Sequence, residues 1–433
     1  MAGIIPLRGL RYDERKAGAI KDLVTPPYDV IDREAQEGYY NRSPFNIIRL
    51  EYGKQNSTDS ETENRYTRAA DYFCRWQNES VLSQEEEPAI YLYRQRFTVA
   101  GQEMERTGII CGVKLEPYEK GVVLPHEETM PGHKADRLAL MQACGANFSP
   151  IFGLYSDQSR TIDRLLDQVT VDSAPEIRFV DEWGQGHRLW VVKDPDVLRQ
   201  VRELMEPRPI FIADGHHRYE TALNYAREND AAGHVMMTLV NLYDPGLVVL
   251  PTHRLIVSAK VEPDELLEAL QQDFLVERVS ERDVDGVLAY MAKKVGLDSP
   301  GGNKNGWVFG LYTGAGNFFV LQLKDEKIIE QKMPADRSPA WCRLDVSVLQ
   351  KLILDNVMGI GQDALAGGAA VQYTRDAGEA VQAVEEGRCR ASFLMNPTGI
   401  AEVTTVAENG EKMPQKSTFF YPKLITGLVI NKF

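Results

Sequence analysis

A chain of 433 residues is long enough for two or more domains, and its 43% hydrophobic and 26% charged residues are those of a globular protein, not a disordered or fibrous one. The formal net charge of −14 argues against general affinity for nucleic acid or for anionic membrane, because both need clustered Lys and Arg. Five scattered cysteines (Cys74, Cys111, Cys144, Cys342 and Cys389) without a Cys-x-x-Cys pair point to a reduced, cytoplasmic protein with no structural zinc site.

In chain order, the opening MAGIIPLRGLRYDERKAG has a short apolar patch broken by arginines, which reads as neither a signal peptide nor a spanning segment. In LVTPPYDVI two prolines force an extended backbone just before Tyr28 and Asp29. These two residues either pack a Pro-rich turn or face a ligand. Asn46 to Leu50 is predicted as a strand, and Arg65 to Val81 as a helix. Ala89 to Thr98 and Arg106 to Leu115 form a predicted hairpin over Ala100-Gly101-Gln102.

A dense polar cluster follows the strand-like Val122-Val123-Leu124: His126, Glu127, Glu128, Thr129, His133, Lys134, Asp136 and Arg137. A buried Glu beside a hydroxyl can serve as general base, and His with Glu can hold a divalent metal. Lys134 and Arg137 suit anionic oxygens. The spacing is not HExxH, and a solvated charge run leading into a helix from Lys134 is the structural alternative. Phe148 to Tyr155 and Arg188 to Val192 are predicted strands, and Pro195 to Met205 a helix.

Residues 208–229, RPIFIADGHHRYETALNYAREN, are the centre of the reading. A short apolar run is followed by the Asp214-Gly215 turn. Tyr219, Ala222, Leu223 and Ala226 then recur at i, i+3, i+4 and i+7, so the prediction is strand, tight turn, amphipathic helix. A helix N-terminus offers free N–H groups and partial positive charge to an anion, and Gly215 permits close backbone approach. His216, His217 and Arg218 stand at the same turn, where cations oppose the helix dipole unless a ligand compensates. The alternative is an ordinary helix with Asp214 as N-cap. His253 and Arg254 lie in an apolar frame, LPTHRLI, that predicts a strand end. Beyond residue 260 the alternation of helices and strands predicts a second, smaller α/β region. Near the C-terminus Lys416, Ser417, Thr418 and Lys423 suit a phosphate, although the glycines of a phosphate loop are missing.

The motifs TPPYDVI near Thr25, LPHEET near Leu124, HKADRL near His133, NFSPIFGLY near Asn147, DGHHRYETA near Asp214, LPTHRLI near Leu250 and KSTFFYPK near Lys416 together resemble the bacterial and archaeal family known as domain of unknown function 1015. The Asp-Gly-x-x-Arg turn at Asp214 also resembles that of ParB-type proteins and of free serine kinases with the ParB/sulfiredoxin fold. The combined expectation is a mixed α+β protein. It has a ParB/sulfiredoxin-like core at residues 1–258 and a second α/β region at 259–433, whose C-terminal tail can return to the core.

The resemblance implies a phosphotransferase using ATP or ADP with Mg²⁺ and a small hydroxyl substrate such as serine, or the reverse reaction from phosphoserine. Glu127, Glu128, His126 and His217 are the candidate catalytic groups. Asp214 is the candidate metal ligand. Asp214, Gly215, His216, Arg218, Lys134, Arg137, His253, Arg254, Lys416, Ser417, Thr418 and Lys423 are candidates for holding the nucleotide, and Tyr28 and Asp29 for the acceptor. Two alternatives stand beside it: a ParB-like nucleotide-binding switch with a protein partner, and a metal-dependent hydrolase built on the His/Glu cluster. Oligomeric state is left open by the sequence.

Overall fold

The computed structural model describes residues 2–129, 131–171, 173–259, 263–280, 283–297, 304–361, 364–365 and 369–433. The chain forms two compact units, residues 1–248 with 420–433, and residues 249–419. Both are mixed α/β.

The first unit is organised on a nine-stranded sheet. Its strands are β1 (Ile4–Ile5), β2 (Ile90–Val99), β3 (Gln102–Lys114), β4 (Val123–Leu124), β5 (Ile151–Tyr155), β6 (Ile177–Val180), β7 (Gly186–Val192), β8 (Ile210–Asp214) and β9 (His234–Asn241). They lie in the order β4-β8-β5-β9-β3-β2-β7-β6, with β1 on β3. The β2–β3 hairpin turns at Ala100-Gly101, as its alternating pattern predicts, and pairs Gln95 with Arg106. Pairing is antiparallel except for β8 with β4 and β9 with β5.

Helix α1 (Arg65–Asn78) packs on α2 (Pro131–Cys144), while α2, α3 (Thr161–Val171), α4 (Pro195–Met205) and α5 (His216–Ala226) contribute Met141, Ile162, Val201 and Tyr219 to the core on the sheet. The core joins Leu92, Ile109, Ile151, Trp190, Ile210 and Met237 from the sheet to Ile162, Val201 and Tyr219 from the helices. Asp194 caps α4, accepting from the N–H groups of Asp196 and Val197, and Pro195 follows at the first helical position.

The second unit has a six-stranded sheet of β10 (His253–Ile256), β11 (Phe274–Arg278), β12 (Val308–Tyr312), β13 (Phe318–Leu323), β14 (Val371–Thr374) and β15 (Ala391–Leu394), in the order β11-β13-β12-β15-β10-β14. Its strands are apolar on both faces. Ile256, Phe309, Leu321 and Phe393 enter one core, while Leu255, Val308, Val320 and Leu394 enter another. That is the period-two alternation of a sheet covered on both sides.

Two local expectations change. Asn46 to Leu50 is not a strand: residues Ile48–Glu51 are a short helix. The Asn46 side-chain oxygen accepts from the Ile48 N–H at 2.9 Å, a local bond that turns the chain, and the five residues from Asn46 to Leu50, only three of them apolar, are too few to carry a periodicity that opposes it. Helix α2 begins at Pro131, three residues before Lys134, because proline's φ is preset for a first helical position. No helix among the described residues is long and apolar enough to cross a membrane.

Candidate functional site

Strand β8 ends with a register shift between Ile212 and Asp214 against β5, which releases Asp214 from the regular ladder. Gly215 follows with φ 95° and ψ 28°, and it, not Asp214, occupies the cap position of α5 without a side-chain cap. The Asp214 carboxylate is engaged elsewhere. A Cβ on Gly215 would lie 3.0 Å from Cζ, Nε and Nη2 of Arg218. Glycine is therefore required here for backbone and packing reasons together. Gly215→Ala is expected to lose about 1–3 kcal/mol of stability in urea unfolding; no loss would show that the turn relaxes freely.

Asp214 holds two cations. Arg218, one helical turn on, donates from Nη2 to Oδ2 at 2.8 Å and from Nη1 to the Pro150 carbonyl at 2.6 Å. Lys423, from the C-terminal segment, donates from Nζ to Asp214 Oδ1. Burial raises the Asp214 pKa, but Lys423 and then Arg218 outweigh it and hold the carboxyl well below its usual range. Both carboxylate oxygens are thus occupied by ammonium and guanidinium groups.

Beside this triad stands a histidine pair. The His126 ring is buried and hydrogen-bonds through Nδ1 to the Ile212 carbonyl at 2.7 Å, while its backbone N–H donates to His216 Nε2 at 3.2 Å. The rings are 4.7 Å apart, edge to face. An acceptor Nε2 requires the neutral His216 ring to carry its proton on Nδ1, which faces Glu127 Oε2 at 3.9 Å. Burial pushes the His126 pKa down to about 4, so this ring is neutral at ordinary pH. Glu127 is half-buried and Glu128 exposed.

A second histidine pair lines the same helix start. His217 lies 5.0 Å from His133 between ring centroids, and His133 lies 6.5 Å from Tyr28. Burial and then His133 lower the His217 pKa to about 4. Asp29 is exposed next to buried Tyr28, whose pKa burial raises to about 12. Lys134 reaches Glu220 at 3.0 Å, and Thr129 Oγ1 donates to the same oxygen at 2.6 Å.

Arg137 has a structural position. It is buried, lies 4.0 Å over the Tyr28 ring, and bonds the Glu51 carbonyl at 3.0 Å, Glu51 Oε1 at 3.2 Å and Asp136 Oδ2 at 2.7 Å. These partners saturate a fork expected to meet anionic oxygens of a ligand.

The remaining candidates belong to the second unit. His253 is buried in β10, where its Nδ1 accepts from the Met395 N–H at 3.1 Å, and burial lowers its pKa to about 4. The Arg254 guanidinium is also buried; it bonds the Thr252 carbonyl, reaches the Lys416 carbonyl at 3.3 Å and lies 5.5 Å from the Tyr373 ring. Lys416 is exposed with φ 57°. The Ser417 hydroxyl donates to the Pro414 carbonyl, and its own carbonyl accepts from Thr398 Oγ1 at 2.7 Å. Thr418 is half-buried.

A family model described as protein of unknown function (DUF1015) matches residues 4–347. The chain belongs to the DUF1015 family. No curated protein matches this DUF1015 sequence. Among solved structures, a free serine kinase in complex with AMP is similar at 12% identity and a TM-score of 0.35, covering 74% of this chain and 92% of its own. A conserved hypothetical protein from Pyrococcus furiosus is similar at 14% identity and a TM-score of 0.34, covering 74% and 95%. A C-terminally truncated SbnI from Staphylococcus aureus is similar at 11% identity and a TM-score of 0.34, covering 73% and 86%. Likeness at this level leaves the functional reading to the geometry of the DUF1015 site itself.

Sequence reasoning passed over Glu220, which ties Thr129 and Lys134 to α5, and Arg106, buried in β3. Glu220 follows His217 by three residues, so helical spacing places it on the same face. Arg106 interrupts no pattern and carries no local signal. Among the described residues, no three His, Cys, Asp or Glu side chains are grouped to hold a metal ion. With both Asp214 oxygens taken by cations, the site does not fit a protein-held Mg²⁺.

Proposed function

We propose that this DUF1015 protein is a small-molecule phosphotransferase that moves a phosphoryl group between a nucleotide and a small hydroxyl compound, with serine or phosphoserine as the test substrate. The observation that carries the reading is the Asp214–Arg218–Lys423 triad at the left-handed Gly215 turn, beside the His216–Glu127 pair. The triad carries one net positive charge, two cations on one carboxylate, beside the N-terminus of an 11-residue helix at one strand end. That arrangement suits phosphate oxygens.

In this reading the acceptor hydroxyl oxygen attacks the terminal phosphorus, the bond to the bridging oxygen breaks, and the nucleotide leaves one phosphate shorter, as ADP from ATP or as AMP from ADP. Glu127 takes the hydroxyl proton, with His216 Nδ1 3.9 Å from its Oε2. Neutral His126 contributes hydrogen bonding and not charge, which leaves Arg218, Lys423 and Lys134 as the cations. Tyr28 borders the acceptor side through His133 and His217, and Asp29 acts on His217 through space. A magnesium ion arriving with the nucleotide would be held by phosphate oxygens and water.

The test is a thermal-shift panel with ATP, ADP, CTP and phosphoserine, followed by chromatography of nucleotide conversion with and without serine. A saturating ligand that binds only the folded state contributes about 2.7 kcal/mol at a hundredfold excess over Kd, so a clear upward shift is expected. Serine-dependent conversion supports the kinase. Binding without turnover points to a nucleotide-sensing switch, and no shift with any nucleotide overturns the proposal.

A further inference from the structure

Arg106 is among the most buried side chains of the first unit, at 2% exposure, and among the described residues no carboxylate accepts from its guanidinium. Asp244 acts on it through space, but that carboxylate accepts from the N–H groups of Thr107 at 3.0 Å and Gly246 at 2.7 Å. The guanidinium meets three neutral oxygens instead. Nη2 donates to Gln95 Oε1 at 2.7 Å and to the Pro422 carbonyl at 2.7 Å, and Nη1 donates to the Tyr421 carbonyl at 3.2 Å. Its carbon lies 4.7 Å from the Phe152 ring centre. Gln95, directly across the β2–β3 ladder, completes the set by donating from Nε2 to the Lys423 carbonyl at 3.2 Å.

Three consecutive carbonyls of the C-terminal segment, at 421, 422 and 423, are therefore held by one Arg–Gln pair. The rings on either side lock the same stretch: Phe420 lies 5.6 Å from Phe152 and Tyr421 lies 5.6 Å from Phe97, both edge to face. Burying a cation is costly, and an apolar side chain of similar bulk would avoid that cost. What the charged fork supplies, and an apolar side chain cannot, is three directed N–H donors in one plane.

We propose that Arg106 is a positioning residue: with Gln95 it fixes the register of residues 421–423 and so delivers the Lys423 ammonium to Asp214 at the Gly215 turn. The use of that lysine on phosphate rests on the function proposed above, but the delivery does not. Full-length Arg106→Met, Arg106→Lys and Gln95→Ala would be labelled with an amine-acylating reagent, reading Lys423 by peptide mass spectrometry. Cys111, fully buried on the same strand, reports by thiol alkylation whether the unit stays folded.

With Cys111 still protected, Lys423 is expected to label about tenfold faster in Arg106→Met, the equivalent of ~1.4 kcal/mol of lost protection. A smaller rise is expected in Arg106→Lys, which keeps the charge but not the fork, and in Gln95→Ala. Unchanged Lys423 labelling in Arg106→Met with Cys111 protected overturns the proposal. If Arg106→Met exposes Cys111, Gln95→Ala decides, and unchanged labelling there overturns it equally. Labelling needs no ligand, so its outcome is separate from that of the nucleotide panel. If the wild type shows a nucleotide shift, its loss in Arg106→Met would join the two.

Discussion

Asp214→Ala is expected to destabilise the first unit by about 3–5 kcal/mol, because it strands two buried cations at once. Arg218 would keep the Pro150 carbonyl, and Lys423 would lose its carboxylate partner. Lys423→Ala should cost clearly less, since Asp214 retains Arg218 at 2.8 Å and the carboxylate is the group left behind with a partner. Removing both Asp214 and Lys423 should cost less than the sum of the single changes, because residues in one ion network are coupled. Urea unfolding at constant m-value measures each term.

The triad also makes stability depend on pH. The folded carboxyl is held below its unfolded value of about 3.9, so the triad's stabilisation is present above that pH and is lost as pH falls further, through the folded value. An Asp214→Ala cost under about 1 kcal/mol would remove the triad as a structural and functional centre.

A second large effect is expected at His126. Its pKa is pushed from 6.5 down to about 4 by burial, so the unfolded chain takes up a proton before the folded protein does. The neutral ring's contribution is complete above about pH 6.5 and is lost as pH falls towards 4, by about 3 kcal/mol at ~1.4 kcal/mol per pH unit. The whole-protein slope is a poor measure of this. Burial raises Asp244 and Asp345 to about 6, and these gain protons on folding over the same window, with the opposite sign.

The comparison to make is His126→Asn against wild type. An Asn amide can donate to the Ile212 carbonyl in place of Nδ1 but does not titrate. The variant's stability deficit should therefore shrink by about 3 kcal/mol between pH 6.5 and 4. A deficit constant across that window would show that His126 is already accessible to protons in the folded protein.

Local features of this chain were legible without the structure. The apolar run at Ile210–Ala213, the Asp-Gly turn and the 3.6-residue stripe of α5 each follow from short-range rules, and the structure places strand, left-handed Gly215 and helix in that order. The β2–β3 hairpin was legible for the same reason, as was the mixed α/β class. Where short-range rules compete, the tertiary structure decided: Ile48–Glu51 is a helix in a segment held from outside, with Asn46 Nδ2 donating to the Asp22 carbonyl and the Ile47 N–H donating to the Leu23 carbonyl, both at 2.7 Å.

The same division runs through the candidate site. The residue types at the Gly215 turn are written in the sequence, but their partners are not. Arg137 was expected to face anionic oxygens of a ligand, and packing gave it Glu51 and Asp136. Asp214 was expected to bind metal or cap a helix, and the fold gave it Arg218 and Lys423, the latter 209 residues away. Nothing local marks Arg106, since a cation solvated by carbonyls of a distant segment has no periodicity and no motif. Such pairings are selected by the cost of leaving a buried charge or carbonyl unmatched, and that cost exists only once the sheet, the turn and the C-terminal segment are packed together.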